Sequence, residues 1–164
     1  MENNRQENLE KLIEKIKDVK IAMMTTIDES GNLHSRPMAT QQVKEDGVLW
    51  FFTGHASGKT SEIKQDSHVN ISYSKPDDNL YVSVAGKATE VRDKAKIEEL
   101  WNPMMKAWFP EGKDDPNISL IKVTIESAEY WDSPNSAVVH LIGVVKATLT
   151  GEPYKTSDQK RMDL

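Results

Sequence analysis

The chain of 164 residues contains no cysteine, and this absence excludes several classes of protein at once. Without a thiol there is no disulfide framework, no thiolate nucleophile and no zinc site built on sulfur. The four histidines show no ligand spacing with one another or with carboxylates, so we predict no metal site. Nothing in the sequence requires an oxidising compartment.

Long apolar runs and blocks of basic charge are missing as well. The longest apolar stretch, residues 137–149, contains His140 and Lys146 and is too short to span a bilayer. The N-terminus is charged from Glu2 and lacks the apolar core of a secretory signal. With 21 basic and 26 acidic side chains the net charge is −5, without a basic cluster. We therefore expect a cytoplasmic protein with neither membrane nor nucleic acid as a partner.

The hydrophobic pattern predicts a mainly β fold with small helical insertions. Apolar residues at three- and four-residue steps from Leu9 to Val19 predict an amphipathic first helix. The period then changes to two, and strands are predicted at 21–27, 33–43, 48–53, 68–74, 80–91, 118–125 and 128–131. Helical segments are predicted at 57–66, 94–101, 104–109 and 136–149. Short antiparallel strands joined by tight turns indicate a barrel or sandwich rather than a parallel sheet.

The length is that of one domain. We assign residues 1–150 to a single domain and residues 151–164 to a polar C-terminal tail. A chain of this size buries enough apolar surface to fold without disulfides or metals.

The predicted strand at 33–43 contains a proline beside an arginine. Strand alternation places Arg36 and Met38 on one face and Pro37 on the other. Because Pro37 has no N–H to donate, the strand must lie at an edge or be interrupted there. Arg36 is either a ligand for an anion or an ordinary surface ion pair, and the spacing leaves both readings open.

The stretch FFTGHASGKTSE, residues 51–62, is close to the phosphate loop of nucleotide triphosphatases. Three residues, rather than the four of that loop, separate Gly54 from the Gly-Lys pair, and the neighbouring strands are antiparallel. A helix that begins near Ser57 would still offer N–H groups, two hydroxyls with that of Thr60, and the ammonium of Lys59 to a single phosphate. The alternative is a capped helix with a solvated lysine.

Several motifs resemble a known family. The succession TTIDESGN, SRPM, WFFT, a short S-x-K segment and V-x-G-K-A is similar to the FMN-binding split β-barrel of the pyridoxamine-phosphate oxidase superfamily. The block LWNPMMKAWFPEGKDDPNISLIKV, followed by AEYWDSP, resembles the bacterial general stress proteins of that superfamily. The resemblance runs from about Glu7 to about Gly143. It implies an antiparallel, Greek-key-like barrel with peripheral helices, in a homodimer that binds FMN non-covalently at the subunit interface.

The resemblance also implies which residues hold the cofactor. Residues that correspond to the strand beside the phosphate and the flavin are Arg36, Pro37 and Met38. Those that match the strand end beside the ring and the ribityl chain are Phe51, Phe52 and Thr53. The phosphate-binding segment is matched by Ser57, Lys59 and Thr60, and the late tryptophan of the second subunit by Trp131.

The chain departs from the vitamin B6 oxidase in two places. After Trp131 it reads DSPNSAVVHLIG instead of the late cluster of arginines and histidines that binds the oxidase's substrate, so we do not expect oxidation of pyridoxamine phosphate. Tyr81 or Ser83 stands where the oxidase has a glutamine at the flavin edge.

Two functions remain open at this point. One is a flavin-dependent oxidoreductase acting on a small molecule of unknown identity, although no residue stands out as its general acid or base. The other is a non-catalytic stress protein that binds or stores flavin, F420 or haem. Trp101, Trp108 and Phe109 are interpreted as core or dimer contacts, with Trp108 also able to reach a flavin pocket if exposed.

Overall fold

A computed structural model describes residues 2–44, 46–133, 148 and 158–164. The α-helices in these ranges are α1 (Glu2–Ile16), α2 (Gly58–Gln65) and α3 (Lys94–Leu100). The strands are β1 (Ile21–Ile27), β2 (Leu33–Val43), β3 (Val48–Gly54), β4 (His68–Lys75), β5 (Leu80–Val91), β6 (Ile118–Asp132) and β7 (Asp158–Asp163). Short 3₁₀ turns cover Pro76–Asp78, Pro103–Ala107 and Gly112–Asp114.

Six of the strands close into an antiparallel barrel. The strand order is β3-β2-β1-β4-β5-β6, and β3 pairs again with β6 to complete the ring. The predicted antiparallel β class is thus confirmed, and of the two architectures left open by the residues it is the barrel that forms. None of the helices in the described part of the chain is long and apolar enough to span a membrane.

The barrel interior is filled by apolar side chains that alternate along the strands. Its largest fully buried members include Tyr73, Phe51, Leu49, Ile71 and Ile121. The Tyr73 hydroxyl lies 2.9 Å from Thr40 Oγ1, and burial raises the pKa of Tyr73 to about 12. Helix α1 contributes Leu12 and Ile16 to the same cluster, since its apolar stripe faces the barrel.

A second, smaller cluster lies on the outside of β3 and β6. It joins the region after β5 to the barrel wall and consists of Phe52, Ile97, Met105, Phe109, Ile118 and Leu120. Phe52 packs edge-on against Trp101, with ring centroids 6.2 Å apart. This outer cluster fixes α3 and the Pro103–Ala107 turn beside the end of β3.

Gly86 permits a close approach of two strands. A Cβ atom at this position would lie 2.4 Å from the carbonyl oxygen of Thr124, too close for any side chain. The β5–β6 register shifts between Ala85 and Gly86, where β6 carries one extra residue. This bulge lets β6 continue from Ile118 to Asp132 as one strand, whereas two separate strands were predicted there.

The C-terminus differs from the predicted polar tail. Residues Asp158–Asp163 form β7, which pairs with the second half of β6, and Met162 is buried in the main cluster. The strand sequence DQKRMD carries one apolar residue, so no local alternation predicts it. The helix predicted at 136–149 lies outside the described residues apart from Thr148.

Strand β2 behaves as its proline requires. It pairs with β1 along 33–39, where Pro37 faces Met23, but its pairing with β3 begins only at Thr40. The strand is therefore unpaired on its β3 side at Pro37, which confirms the interruption predicted from the missing N–H.

Candidate functional site

A cleft of about 510 Å³ opens where β2 and β3 separate. The two strands are paired from Thr40 and Phe51 towards the turn that connects them, as far as Val43 and Leu49. On the other side of the Thr40–Phe51 pair they diverge. The cleft occupies the gap, with the segment after α3 as its third wall. The residues that line it are Ile21, Pro37, Met38, Ala39, Gln41, Phe52, Thr53, Gly54, Lys59, Met105, Trp108, Phe109 and Asn117.

Five of the ten residues predicted for the site line this cleft. They are Pro37, Met38, Phe52, Thr53 and Lys59. The structure thus brings together the three sequence segments that were singled out separately. The other five, Arg36, Phe51, Ser57, Thr60 and Trp131, lie outside the lining, each for a different reason.

Phe51 lies on the wrong side of β3 to contact the cleft. Its side chain is fully buried in the barrel interior, whereas Phe52 points outward into the outer cluster and the cleft. Successive strand residues face opposite sides, so two adjacent phenylalanines cannot share one site. Phe51 therefore packs in the barrel interior, on the opposite side of β3 from the cleft.

Lys59 is the charged member of the cleft lining. It lies in the first turn of α2, is partly buried, and forms no ion pair with any residue in the described ranges. Burial lowers the pKa of Lys59, and the nearby charge of Arg36 lowers this pKa further, while Glu62 opposes the shift. A partly desolvated ammonium that has no ion pair among the described residues is unfavourable. Its position in the first turn of α2 adds to this cost, because the N-terminus of a helix favours negative charge.

Arg36 lies next to this lysine but has a partner of its own. Its Nη2 donates to Glu62 Oε2 at 2.8 Å, and its Nη1 donates to Thr26 Oγ1. The hydrogen bond from Thr26, with that from Arg36, lowers the pKa of Glu62 although burial acts in the opposite direction. The open reading of Arg36 is therefore answered in part, since it forms an ion pair. Together Arg36, Lys59 and Glu62 leave one net positive charge.

The two hydroxyls of the β3–α2 connection have different roles. Thr60 is buried, and its hydroxyl lies 2.7 Å from the carbonyl oxygen of His55 and 2.6 Å from that of Ser57. Its single proton is used inside the loop, so Thr60 shapes the loop and does not face a ligand. Ser57 occupies the N-cap position of α2 without a side-chain capping bond, and its Oγ lies 3.2 Å from Thr53 Oγ1. The alternative interpretation, a capped helix with a solvated lysine, does not describe α2, because Ser57 makes no side-chain capping bond and Lys59 is partly buried.

A buried carboxylate on β5 contacts the β3–α2 connection and helix α2. Glu90 of β5, with 7% of its side chain exposed, lies 2.6 Å from His55 Nδ1 and 3.0 Å from Lys64 Nζ of α2. It also accepts from Ser119 Oγ at 2.9 Å. Burial raises the pKa of Glu90, but the hydrogen bonds from His55, Lys64 and Ser119 outweigh it and lower this pKa to about 2. Glu90 thus ties the beginning of the β3–α2 connection and the last turn of α2 to the barrel.

Trp131 lies elsewhere on the surface. It stands opposite Tyr81 of β5 and Gln159 of β7, on β6 beyond the bulge. It does not line the cleft of its own chain.

Four polar or aromatic lining residues, Gln41, Trp108, Phe109 and Asn117, were not among the residues predicted to bind the cofactor. Gln41 and Asn117 supply amide groups, and Asn117 also clasps the loop, because its carbonyl accepts from His55 N at 2.7 Å. Trp108 joins from the segment after α3. Gln41 lies on β2 and Asn117 precedes β6, so strand pairing brings both to β3, whereas the outer cluster brings Trp108 there. Local patterns do not mark Gln41 or Asn117, but the sequence allowed Trp108 to reach a flavin pocket if exposed, and it is exposed at the cleft. Within the described residues no group of histidines and carboxylates is arranged to hold a metal ion.

Comparison of the sequence with known proteins finds one matching family and several similar proteins. Residues 7–155 match the family described as "Pyridoxamine 5'-phosphate oxidase like". Protein bli-3 of Neurospora crassa is 35% identical over 144 residues, which cover 82% of this chain and 69% of that protein. General stress protein 26 of Bacillus subtilis is 27% identical over 143 residues, 84% of this chain and 98% of that protein.

A solved structure is similar in fold and sequence. The general stress FMN/FAD binding protein of the phytopathogen Xanthomonas citri is 28% identical, with a TM-score of 0.64 over 84% of this chain and 92% of that one.

Proposed function

The chain belongs to the pyridoxamine 5'-phosphate oxidase-like family, and from this premise we propose that it is a cytoplasmic general stress protein that binds FMN in the cleft between β2 and β3. The similar protein of Xanthomonas citri is a general stress FMN/FAD binding protein, which supports a flavin as the ligand class. Oxidation of pyridoxamine phosphate is not part of the proposal, because the sequence after Trp131 lacks the basic cluster of the oxidase.

The observation that carries this proposal is the partly buried Lys59, which has no ion pair among the described residues and is the only charged side chain in their largely apolar cleft lining. A phosphate monoester would supply the missing anion, and the N-terminus of α2 favours negative charge at the same place. The cleft lining also includes Met38, Phe52 and Phe109, which offer apolar and aromatic surface for a flat ring. The donor set therefore fits a ligand with a phosphate at one end and a heterocycle at the other.

Different residues would contact different parts of such a ligand. Lys59 and Ser57 would bind the phosphate, and Arg36 would add charge from its ion pair with Glu62. Met38, Phe52 and Thr53 would contact the ring and the chain that joins it to the phosphate. Bound FMN supplies the capacity to accept and donate electrons.

The proposed protein is a homodimer. Exposed apolar side chains stand on β1 and β5, on either side of β4, and include Ile21, Met23 and Tyr81, the last directly opposite Trp131. Large exposed apolar side chains on one face of a barrel are typical of an interface between subunits. In this proposed dimer, Trp131 of the second subunit would lie against the flavin, as the resemblance to the family implies.

The proposed activity is that of a flavin-dependent oxidoreductase on a small molecule. A second candidate, a non-catalytic flavin-binding or storage protein, is favoured by one observation. Among the described residues that line the cleft, Lys59 is the only ionisable one, so the lining offers no general acid or base for proton transfer beyond it.

One experiment separates these functions. Purified protein is saturated with FMN, freed of excess flavin by gel filtration, mixed with NADH or NADPH without oxygen to test flavin reduction, and then exposed to air, which supplies oxygen as the electron acceptor for reoxidation. Repeated flavin reduction and reoxidation at a catalytic rate would support the oxidoreductase. Retained flavin that is not reduced by either nucleotide would support the storage protein, and failure to retain FMN would contradict both.

A further inference from the structure

Trp108 is held at the cleft by residues on both sides of it in the chain. The preceding turn is capped by Asn102, whose Oδ1 accepts from Met104 N at 3.1 Å. The backbone N–H groups of Trp108 and Phe109 both donate to the carbonyl oxygen of Met105, at 3.1 and 2.9 Å. Met105 and Phe109 are buried in the outer cluster. The backbone at Trp108 is therefore fixed even though its side chain is not packed.

The Trp108 side chain is 67% exposed while it lines the cleft. An indole has more apolar surface than other side chains, so leaving it in water is unfavourable unless something covers it. Trp108 forms a wall of a cavity and not a flat surface, which favours a small molecule as the cover over another protein.

The lining also restricts the charge of such a molecule. Within the described lining Lys59 is the only charged side chain, and the proposed phosphate of FMN would neutralise it. A second ligand at Trp108 would then find apolar surface and the amide of Gln41, but no ionic partner. Its favourable contacts are stacking on the indole and burial of its own apolar faces.

We infer that Trp108 is the stacking platform of a second ligand subsite, which takes a planar, uncharged aromatic or quinone ring beside the bound flavin. This inference rests on the proposed function and names the class of small molecule that the flavin protein would take. It assigns Trp108 a role in binding and specificity.

The test uses the FMN-loaded protein and two naphthoquinone probes. Menadione is planar and uncharged, and 1,4-naphthoquinone-2-sulfonate has the same ring system with a negative charge. Affinities for both probes are measured by equilibrium dialysis for the wild type, Trp108→Ala, Trp108→Phe and Met104→Ala. Met104 is the matched control, since it is 77% exposed on the same segment but does not line the cleft. FMN affinity and the monomer–dimer equilibrium are measured for each variant in parallel.

The expected result is that the wild type binds menadione more tightly than the sulfonate. Trp108→Ala should weaken menadione binding by roughly five- to tenfold, the range for a lost aromatic stack, and Trp108→Phe should restore most of it. Met104→Ala should behave as the wild type, and the FMN affinity of all variants should be unchanged.

Three results would overturn the inference. If menadione binds Trp108→Ala and the wild type with the same affinity, Trp108 does not form a ligand subsite. FMN affinity that falls in Trp108→Ala makes Trp108 part of the flavin site. A change confined to the dimer equilibrium makes it a subunit contact. If the wild type does not retain FMN, the proposed function is wrong, and the same menadione titration of the FMN-free protein decides the role of Trp108 separately.

Discussion

The two sides of β3 are built on opposite principles. On the inner side, Phe51 and Leu49 are fully buried in an apolar interior that admits no unpaired charge. On the outer side, Phe52 and Thr53 border a cleft that contains a largely exposed tryptophan and a lysine with no ion pair in the part of the chain that the structure describes. Side chains one residue apart thus serve different ends: the interior stabilises the fold, and the cleft keeps surface and charge available for a ligand.

The difference teaches where function lies in this barrel. Proteins tolerate desolvated charge and exposed aromatic surface chiefly where a ligand or partner compensates for them. Substitutions on the inner side should therefore change stability and leave ligand affinity intact, and substitutions in the cleft should do the reverse.

The largest effect is expected for Phe51→Ala. Removing a fully buried aromatic side chain leaves a cavity in the barrel and should lower the free energy of unfolding by about 3–5 kcal/mol. Urea denaturation monitored by circular dichroism measures this loss, with the exposed Trp108→Ala as the matched control. A loss below about 1 kcal/mol would show that Phe51 is not part of the packed interior.

A smaller loss is expected for Glu90→Gln, and it should depend on pH. The pKa of Glu90 is lowered from its ordinary 4.5 to about 2 by hydrogen bonds from His55, Lys64 and Ser119, which outweigh the opposite effect of burial. Its charged form therefore stabilises the fold fully above pH 4.5, and this contribution is lost as the pH falls from 4.5 through 2. Loss of the charge-assisted bonds should lower the free energy of unfolding at pH 7 by about 1–3 kcal/mol.

Unfolding curves recorded between pH 7 and pH 2 check this prediction. The variant should lose less stability on acidification than the wild type, and the two should converge at the acid end. Glu99→Gln is the control, because that carboxylate is exposed and solvent screening should leave its pair with Lys96 little effect on stability. Parallel pH curves for Glu90→Gln and the wild type would contradict the assigned role.

The smallest effect on stability is expected for Lys59→Met. Since this lysine has no ion pair in the described ranges, its replacement by a side chain of similar length should change the free energy of unfolding by no more than about 0.5 kcal/mol. Arg36→Met is the matched comparison, because it leaves Glu62 without its partner and should lose about 1 kcal/mol. Thermal denaturation of the two variants side by side tests this order, and a larger loss in Lys59→Met would reverse it.

Local patterns predicted most of the barrel. Alternation and turn residues predicted the bounds of β1, β2, β4 and β5 to within one residue. Pro37 predicted an interruption in strand pairing, and at this residue β2 is indeed unpaired on its β3 side. These features are encoded over a few neighbouring residues. Strand β7 was missed because its pairing partner, β6, is distant in the sequence and its own composition is polar.

The candidate site was predicted less completely for a related reason. The motifs identified Lys59 and the β3 end, but motif position does not say to which side a strand residue points, so Phe51 was included with Phe52. Gln41 and Asn117 reach the cleft through the pairing of β3 with β2 and β6, and Trp108 reaches it through the outer cluster. The ion pair between Arg36 and Glu62 is equally non-local.

The most direct test of the central claim compares FMN with riboflavin, which lacks only the phosphate, on the wild type and Lys59→Met. Flavin fluorescence titration gives the four affinities. If Lys59 binds the phosphate, the substitution should weaken FMN binding by on the order of 1–3 kcal/mol and leave riboflavin binding unchanged. FMN affinity that is unchanged, or that falls only as much as riboflavin affinity, would contradict a phosphate site at Lys59.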